Sequence, residues 1–200
     1  MVINQIITAM DSRNKVKLDN SKLEKGHILI DIGAYPGDVI EYCIEKEIEV
    51  HSFEPHPMLY FHTVGNHKNK LVTPIEAAGS NFDGMAKLYL KDRPARADVG
   101  SSLIVGKTNV SHDLFLDVKV IDIGKYLSKI DRDIQVLKID AEGSEYDIVN
   151  SILDHFDYKR IKHWYIEDHG RKIQDSKWKI SRVDTLQRVQ EAGIELMSWD

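Results

Sequence analysis

Two acidic clusters in this 200-residue sequence hold residue types that do chemistry: Asp140-Ala141-Glu142-Gly143-Ser144-Glu145 and Glu167-Asp168-His169-Gly170. Each follows a short apolar run, Ile134 to Ile139 and Ile161 to Ile166. In extended backbone Glu167 and His169 point to one side and Asp168 to the other, so one face offers a carboxylate and an imidazole together. Histidine titrates closest to neutral pH, which makes His169 the first candidate for a general base, with Asp140 or Glu167 orienting it. The competing chemistry for carboxylates in two such clusters is a divalent metal, which would lower the pKa of a bound group without any base. The plainer reading of the same residues is a loop histidine among helix-capping acids.

A third group lies upstream. The apolar run Ile28 to Ile32 passes through Asp31, Gly33, Ala34, Tyr35 and Gly37 into a stretch where Val39, Ile40, Cys43, Ile44 and Ile48 recur at helical spacing. Two glycines between a buried strand and a helix let the backbone turn tightly and approach a ligand. The next apolar run, Ile48 to Phe53, ends in Glu54, 23 residues after Asp31. Nucleotide-binding α/β folds place an acid at that distance to accept hydrogen bonds from vicinal ribose hydroxyls, so the spacing points to an adenosine-containing ligand.

The elements that must position these groups alternate between strand and helix. Continuous apolar strands predict a parallel sheet covered on both faces, and the alternation predicts a doubly wound α/β domain in which ligands bind at the carboxyl ends of the strands. The third strand, Leu71 to Ala78, contains Pro74, which suits the edge of a 3-2-1-4-5 sheet. Pro57 opens a short helix carrying Met58, Leu59, Phe61 and Val64. Gly84 to Leu90 and Leu116 to Ile123 read as paired strands, and the polar stretch Lys91 to Asp113 between them, with Arg93, Arg96, Ser101, Ser102 and His112, reads as a substrate-facing flap. Ser144 with Asp147 predicts a capping box, Ile180, Val183, Leu186 and Val189 a last amphipathic helix, and Ile194 to Trp199 a closing strand.

Composition narrows the class. The chain divides into an N-terminal arm, residues 1–26, and one domain, residues 27–200, whose 42% hydrophobic content suffices for a single core. A net charge of -5 argues against a protein built to grip nucleic acid. Neither a bilayer-spanning run nor a secretory leader is visible, and Cys43, the single cysteine, falls on an apolar helix face, so the expectation is a cytoplasmic protein without membrane attachment. The sequence leaves its oligomeric state open.

Three motifs in series, Asp-Ile-Gly-Ala-x-x-Gly at 31–37, Phe-Glu-Pro-x-Pro at 53–57 and Lys-Ile-Asp-x-Glu-Gly-x-Glu at 138–145, resemble the FkbM-type methyltransferases from about residue 27 to about residue 169. The family usually has asparagine where this sequence has Tyr35 and His56. The resemblance implies a class I Rossmann-like fold, S-adenosylmethionine as cofactor and O-methylation of a hydroxyl, most often on a sugar such as a deoxysugar, or on a natural product. By position, Asp31, Gly33, Ala34, Tyr35 and Gly37 would hold the methionine end, Glu54 and Pro55 the ribose side, and Glu76, Ala77 and Ala78 would border the adenine. Asp140 would face the methyl group, and the 27- and 28-residue spacings from Asp140 to Glu167 and Asp168 resemble those of metal-dependent O-methyltransferases. The expected partner is a small-molecule or glycan acceptor. A phenolic hydroxyl, a nucleic-acid acceptor, and a non-catalytic S-adenosylmethionine-binding module are the alternative readings.

Overall fold

A computed structural model of the chain describes residues 12–91 and 100–199. Among the described residues the α-helices and strands follow in order: α1 (Ser12–Asn20), β1 (Ile28–Ile32), α2 (Asp38–Glu45), β2 (Glu49–Phe53), α3 (Pro57–His62), β3 (Val72–Ile75), β4 (Ala78–Ser80), β5 (Gly84–Lys91), β6 (Val110–Asp122), α4 (Ile123–Leu127), β7 (Ile134–Ile139), α5 (Glu145–His155), β8 (Ile161–Ile166), α6 (Ser176–Glu191) and β9 (Leu196–Ser198). The main sheet runs β3-β2-β1-β7-β8-β9 with every pair parallel. This is the predicted order, with β7 and β8 as the fourth and fifth strands and Pro74 on the edge strand β3.

The sheet separates two apolar layers because strand side chains alternate. Ile28, Ile30 and Ile32 of β1 join α4, α5 and α6 through residues such as Ile123, Ile148, Ile152 and Trp178. Leu29, with Val50 and Val136 on neighbouring strands, joins Leu18, Val39, Ile40 and Cys43 on the other face. The described part of the N-terminal segment belongs to that second layer. Leu18 is fully buried, and Tyr165 Oη, 2.7 Å from Ser21 Oγ, donates to the Lys17 carbonyl at 2.8 Å.

A smaller sheet, β4-β6-β5, stands beside the main one, with β5 and β6 paired as expected, in antiparallel sense, and β6 starting at Val110 inside the stretch read as a flap. Three expectations are corrected. The strand read as Leu71 to Ala78 divides: β3 stays at the main edge and β4 crosses into the smaller sheet beside β6. Ser144 caps α5 without a side-chain hydrogen bond, since its backbone, at φ -89° and ψ 5°, lies outside the extended region of a capping residue, and the buried Glu145 carboxylate accepts the Ala141 and Gly143 amides at 3.2 and 2.9 Å. The inner face of α6 is Trp178, Thr185 and Val189, with Leu186 partly buried, and it leaves Ile180 and Val183 exposed. Among the described residues no helix is long and apolar enough to cross a membrane.

Candidate active site

The carboxyl ends of β1, β2 and β7 converge on one pocket, open at its mouth. Gly33 and Tyr35 after β1, Glu54 and Pro55 after β2, Ala77 and Ala78 after β3, and Asp140 after β7 line it, each of them singled out in the sequence. The other four expected cofactor residues lie off its wall. Ala34 packs into the core, and Gly37 caps α2 with φ 98°. Glu76 is exposed at the bend between β3 and β4.

Asp31 faces inward. It is the register partner of Lys138 on β7, and both side chains are buried on the same sheet face, Nζ 3.1 Å from Asp31 Oδ1. Burial pushes the Asp31 carboxyl upward, and Lys138 opposes this. Lys138 also donates to the Gly33 carbonyl at 2.5 Å and lies 3.6 Å from Asp140, so one ammonium ties the β1 turn to the end of β7. Gly33 itself is required by the protein's own packing: at φ 84° a Cβ would sit 1.9 Å from the Asp140 carbonyl oxygen. The close approach predicted for a ligand is made here by backbone.

Glu54 is the buried acid of the pocket, 5% exposed, and its Oε1 accepts the His56 amide at 2.9 Å. The Tyr35 backbone also donates to this carboxylate. Burial dominates these bonds and pushes the carboxyl up to about 7. A carboxylate so placed favours a ligand that brings further donors.

The roof comes from the stretch read as a flap. Gly100, Ser101 and Leu103 lie on the pocket wall, while Ser102 turns away and donates from Oγ to the Glu142 carbonyl at 2.6 Å. The fully buried Lys107 donates to the Gly100 carbonyl at 2.6 Å and to Glu142 Oε2 at 2.5 Å. His112 is exposed on β6, and Arg93 and Arg96 lie outside the described residues.

The expected base is corrected by its surroundings. His169 is 1% exposed, with Nδ1 2.8 Å from Glu145 Oε1 and Nε2 3.0 Å from Glu142 Oε2 and 3.1 Å from Glu167 Oε1. These carboxylates overcome its desolvation and push the imidazole up to about 12, which favours the protonated ring over the neutral one that a general base needs. His169 is also absent from the pocket wall, which Asp140 and Glu142 occupy. The Asp140 carboxyl is raised by burial, against the pull of Lys138, whereas that of Glu142 is held down at about 2 by His169 and Lys107 despite its burial.

The alternative metal set, Asp140, Glu167 and Asp168, is not brought together as one cluster. The Asp168 carboxylate accepts from the Gly170 amide at 2.9 Å and pairs with Arg182, which turns it out of the cluster. The acids and histidine whose ligand atoms converge are Asp140, Glu142 and His169. Glu142, Leu88 and Leu103 are pocket residues to which the sequence reading gave no role. For Glu142 a signal existed, since it lies two residues after Asp140 in the third motif.

The model of the methyltransferase FkbM domain matches residues 31–195. The chain belongs to the FkbM methyltransferase family. The match spans all three motifs and every strand of the main sheet except the first three residues of β1 and the last three of the fold, β9. No curated protein and no solved structure matches the chain. Membership makes the protein a methyltransferase of Rossmann-like fold, and the pocket at the carboxyl ends of β1, β2 and β7 is where such a sheet binds its ligand.

Proposed function

We propose that this FkbM methyltransferase transfers a methyl group from S-adenosylmethionine to a hydroxyl oxygen of a sugar or glycan. One observation carries the cofactor reading: a buried carboxylate, Glu54, stands on the pocket wall at the end of β2, beside the β1 turn. Bound there, the cofactor supplies an electrophilic methyl on sulfur. Glu54 would accept the ribose hydroxyls, Ala77 and Ala78 would border the base, and Gly33 and Tyr35 would flank the methionine end. The apolar neighbours Phe53, Pro55 and Leu59 exclude water from that half of the pocket.

The other half would take the acceptor. Asp140, Glu142 and Ser144 face it from the β7 end, and Ser101 from the roof, a polar set suited to a molecule rich in hydroxyls. Holding the attacking oxygen in line supplies most of the rate. As the oxygen gains the methyl, its proton passes to a carboxylate. Asp140 is the better base of the two on the wall, since burial raises its carboxyl while Glu142 is tied to two cations. Leu88 and Leu103 favour a second reading, a phenolic or natural-product hydroxyl whose ring packs on them. The buried Cys43 thiol is consistent with work in the reducing cytoplasm.

The test is turnover. Incubated with S-adenosylmethionine and a panel of glycosides and phenols, the chain is expected to add the mass of one methylene to a glycoside. Addition to phenols alone would replace the sugar reading by the second one, and addition to neither would contradict O-methylation of these classes.

A further inference from the structure

We propose that Asp140, Glu142 and His169 form a divalent-cation site, with Glu167 at its edge and Glu145 orienting the imidazole. The ligand atoms of the first three lie within 4.8 Å of one another. Donors about 2.1 Å from one ion and at right angles to each other stand about 3.0 Å apart. His169 Nε2 is 3.0 Å from Glu142 Oε2 and 3.1 Å from Glu167 Oε1, as two edges of such a polyhedron require.

A second observation is independent of those distances. His169 Nε2 is buried and lies at ion-pair distance from both the Glu142 and Glu167 carboxylates, yet is aligned for a good hydrogen bond with neither. One N–H can be shared by two oxygens only in a bent three-centre bond, whereas a cation between them attracts all its ligands together. Nδ1 is already committed: it lies 2.8 Å from Glu145 Oε1, which the Ala141 and Gly143 amides hold in place. A carboxylate fixing one imidazole nitrogen so that the other can ligate is the usual outer shell of a metal-bound histidine.

The charges agree. Asp31, Asp140, Glu142, Glu145 and Glu167 face two ammonium groups, Lys107 on Glu142 and Lys138 shared by Asp31 and Asp140. The surplus can be met by a proton on His169 or by a cation that displaces it, releasing the proton as metal sites do. Carboxylate oxygens with one imidazole suit manganese(II) better than calcium, which takes oxygen alone. Asp140 and Glu142 are both on the pocket wall, so the ion would border the acceptor. That last consequence rests on the methyl-transfer reading, while binding of the ion does not.

The experiment is a titration of the full chain with manganese(II), with neither cofactor nor acceptor present, reading free ion by its electron paramagnetic resonance signal. The expected result is one saturable site, weakened at least ~10-fold in Asp140→Asn and Glu142→Gln and about 10- to 100-fold in Glu145→Gln. Glu49→Gln, which touches only the distant Arg132 and His51, should bind like the parent. Substitution of fully buried His169 endangers folding, so the partly exposed Asp140 and Glu142 carry the test. No saturable uptake by the folded parent, or undiminished binding in both Asp140→Asn and Glu142→Gln, would overturn the site and leave His169 as an imidazolium. Because no S-adenosylmethionine is present, failure here is separate from failure of methyl transfer.

Discussion

Glu54 is the residue on which pH should act most visibly. Burial pushes its folded-state carboxyl up to about 7, above the ordinary unfolded value of about 4.3. The folded chain therefore binds the extra proton between those values, and Glu54 makes the ligand-free protein less stable as pH rises through this window. A ligand that donates to the ionised carboxylate reverses the preference. Affinity for S-adenosylmethionine should rise as pH climbs through about 7 and level off above it, and Glu54→Gln should lose this dependence; calorimetric titrations at pH 6 and pH 8 would measure it. Residue types and strand-end positions were legible in the sequence, because motif spacing fixes both. Protonation was not: nothing near His169 in the chain reveals that Glu142 and Glu145, from another strand end, close around it. Nor does the chain near Gly33 reveal that the Asp140 carbonyl packs against it beside the pocket.

At the scale of elements, the roof segment is held to the β7–α5 turn by Lys107 and Ser102. Lys107→Met removes the buried ammonium and leaves Glu142 with one cation fewer. The expected cost is about 3 kcal/mol of stability, the order found when one partner of a buried pair is lost, readable by denaturant unfolding. Because Ser101 and Leu103 ride on the roof while Glu54 does not, the variant should raise the acceptor KM with little change in cofactor affinity. The opposite pattern would place the roof over the cofactor. Alternation made β5 and β6 legible as partners, and continuous apolar runs did the same for β1 and β7. The roof and the division of β3 from β4 were not legible, since their geometry depends on long-range docking such as Lys107 against Ile173.

Over the whole molecule, two apolar layers on one parallel sheet bring the motifs of three separate strands to a single pocket. The described N-terminal segment helps to cover one layer, which composition alone did not disclose because Val16, Leu18 and Leu23 are scattered through a polar stretch. Leu18→Ala should cost about 2–4 kcal/mol, as large-to-small changes in a closed core do, and lower the unfolding midpoint accordingly. The central claim, that this pocket binds S-adenosylmethionine through Glu54, is tested most directly by calorimetric titration of the cofactor into the parent and into Glu54→Gln at pH 8. The account predicts one site per chain in the parent and a loss of at least ~10-fold in the variant, since a hydrogen bond to a charged acceptor contributes about 1.5–3 kcal/mol. No binding by the folded parent, or equal binding by both, would contradict it.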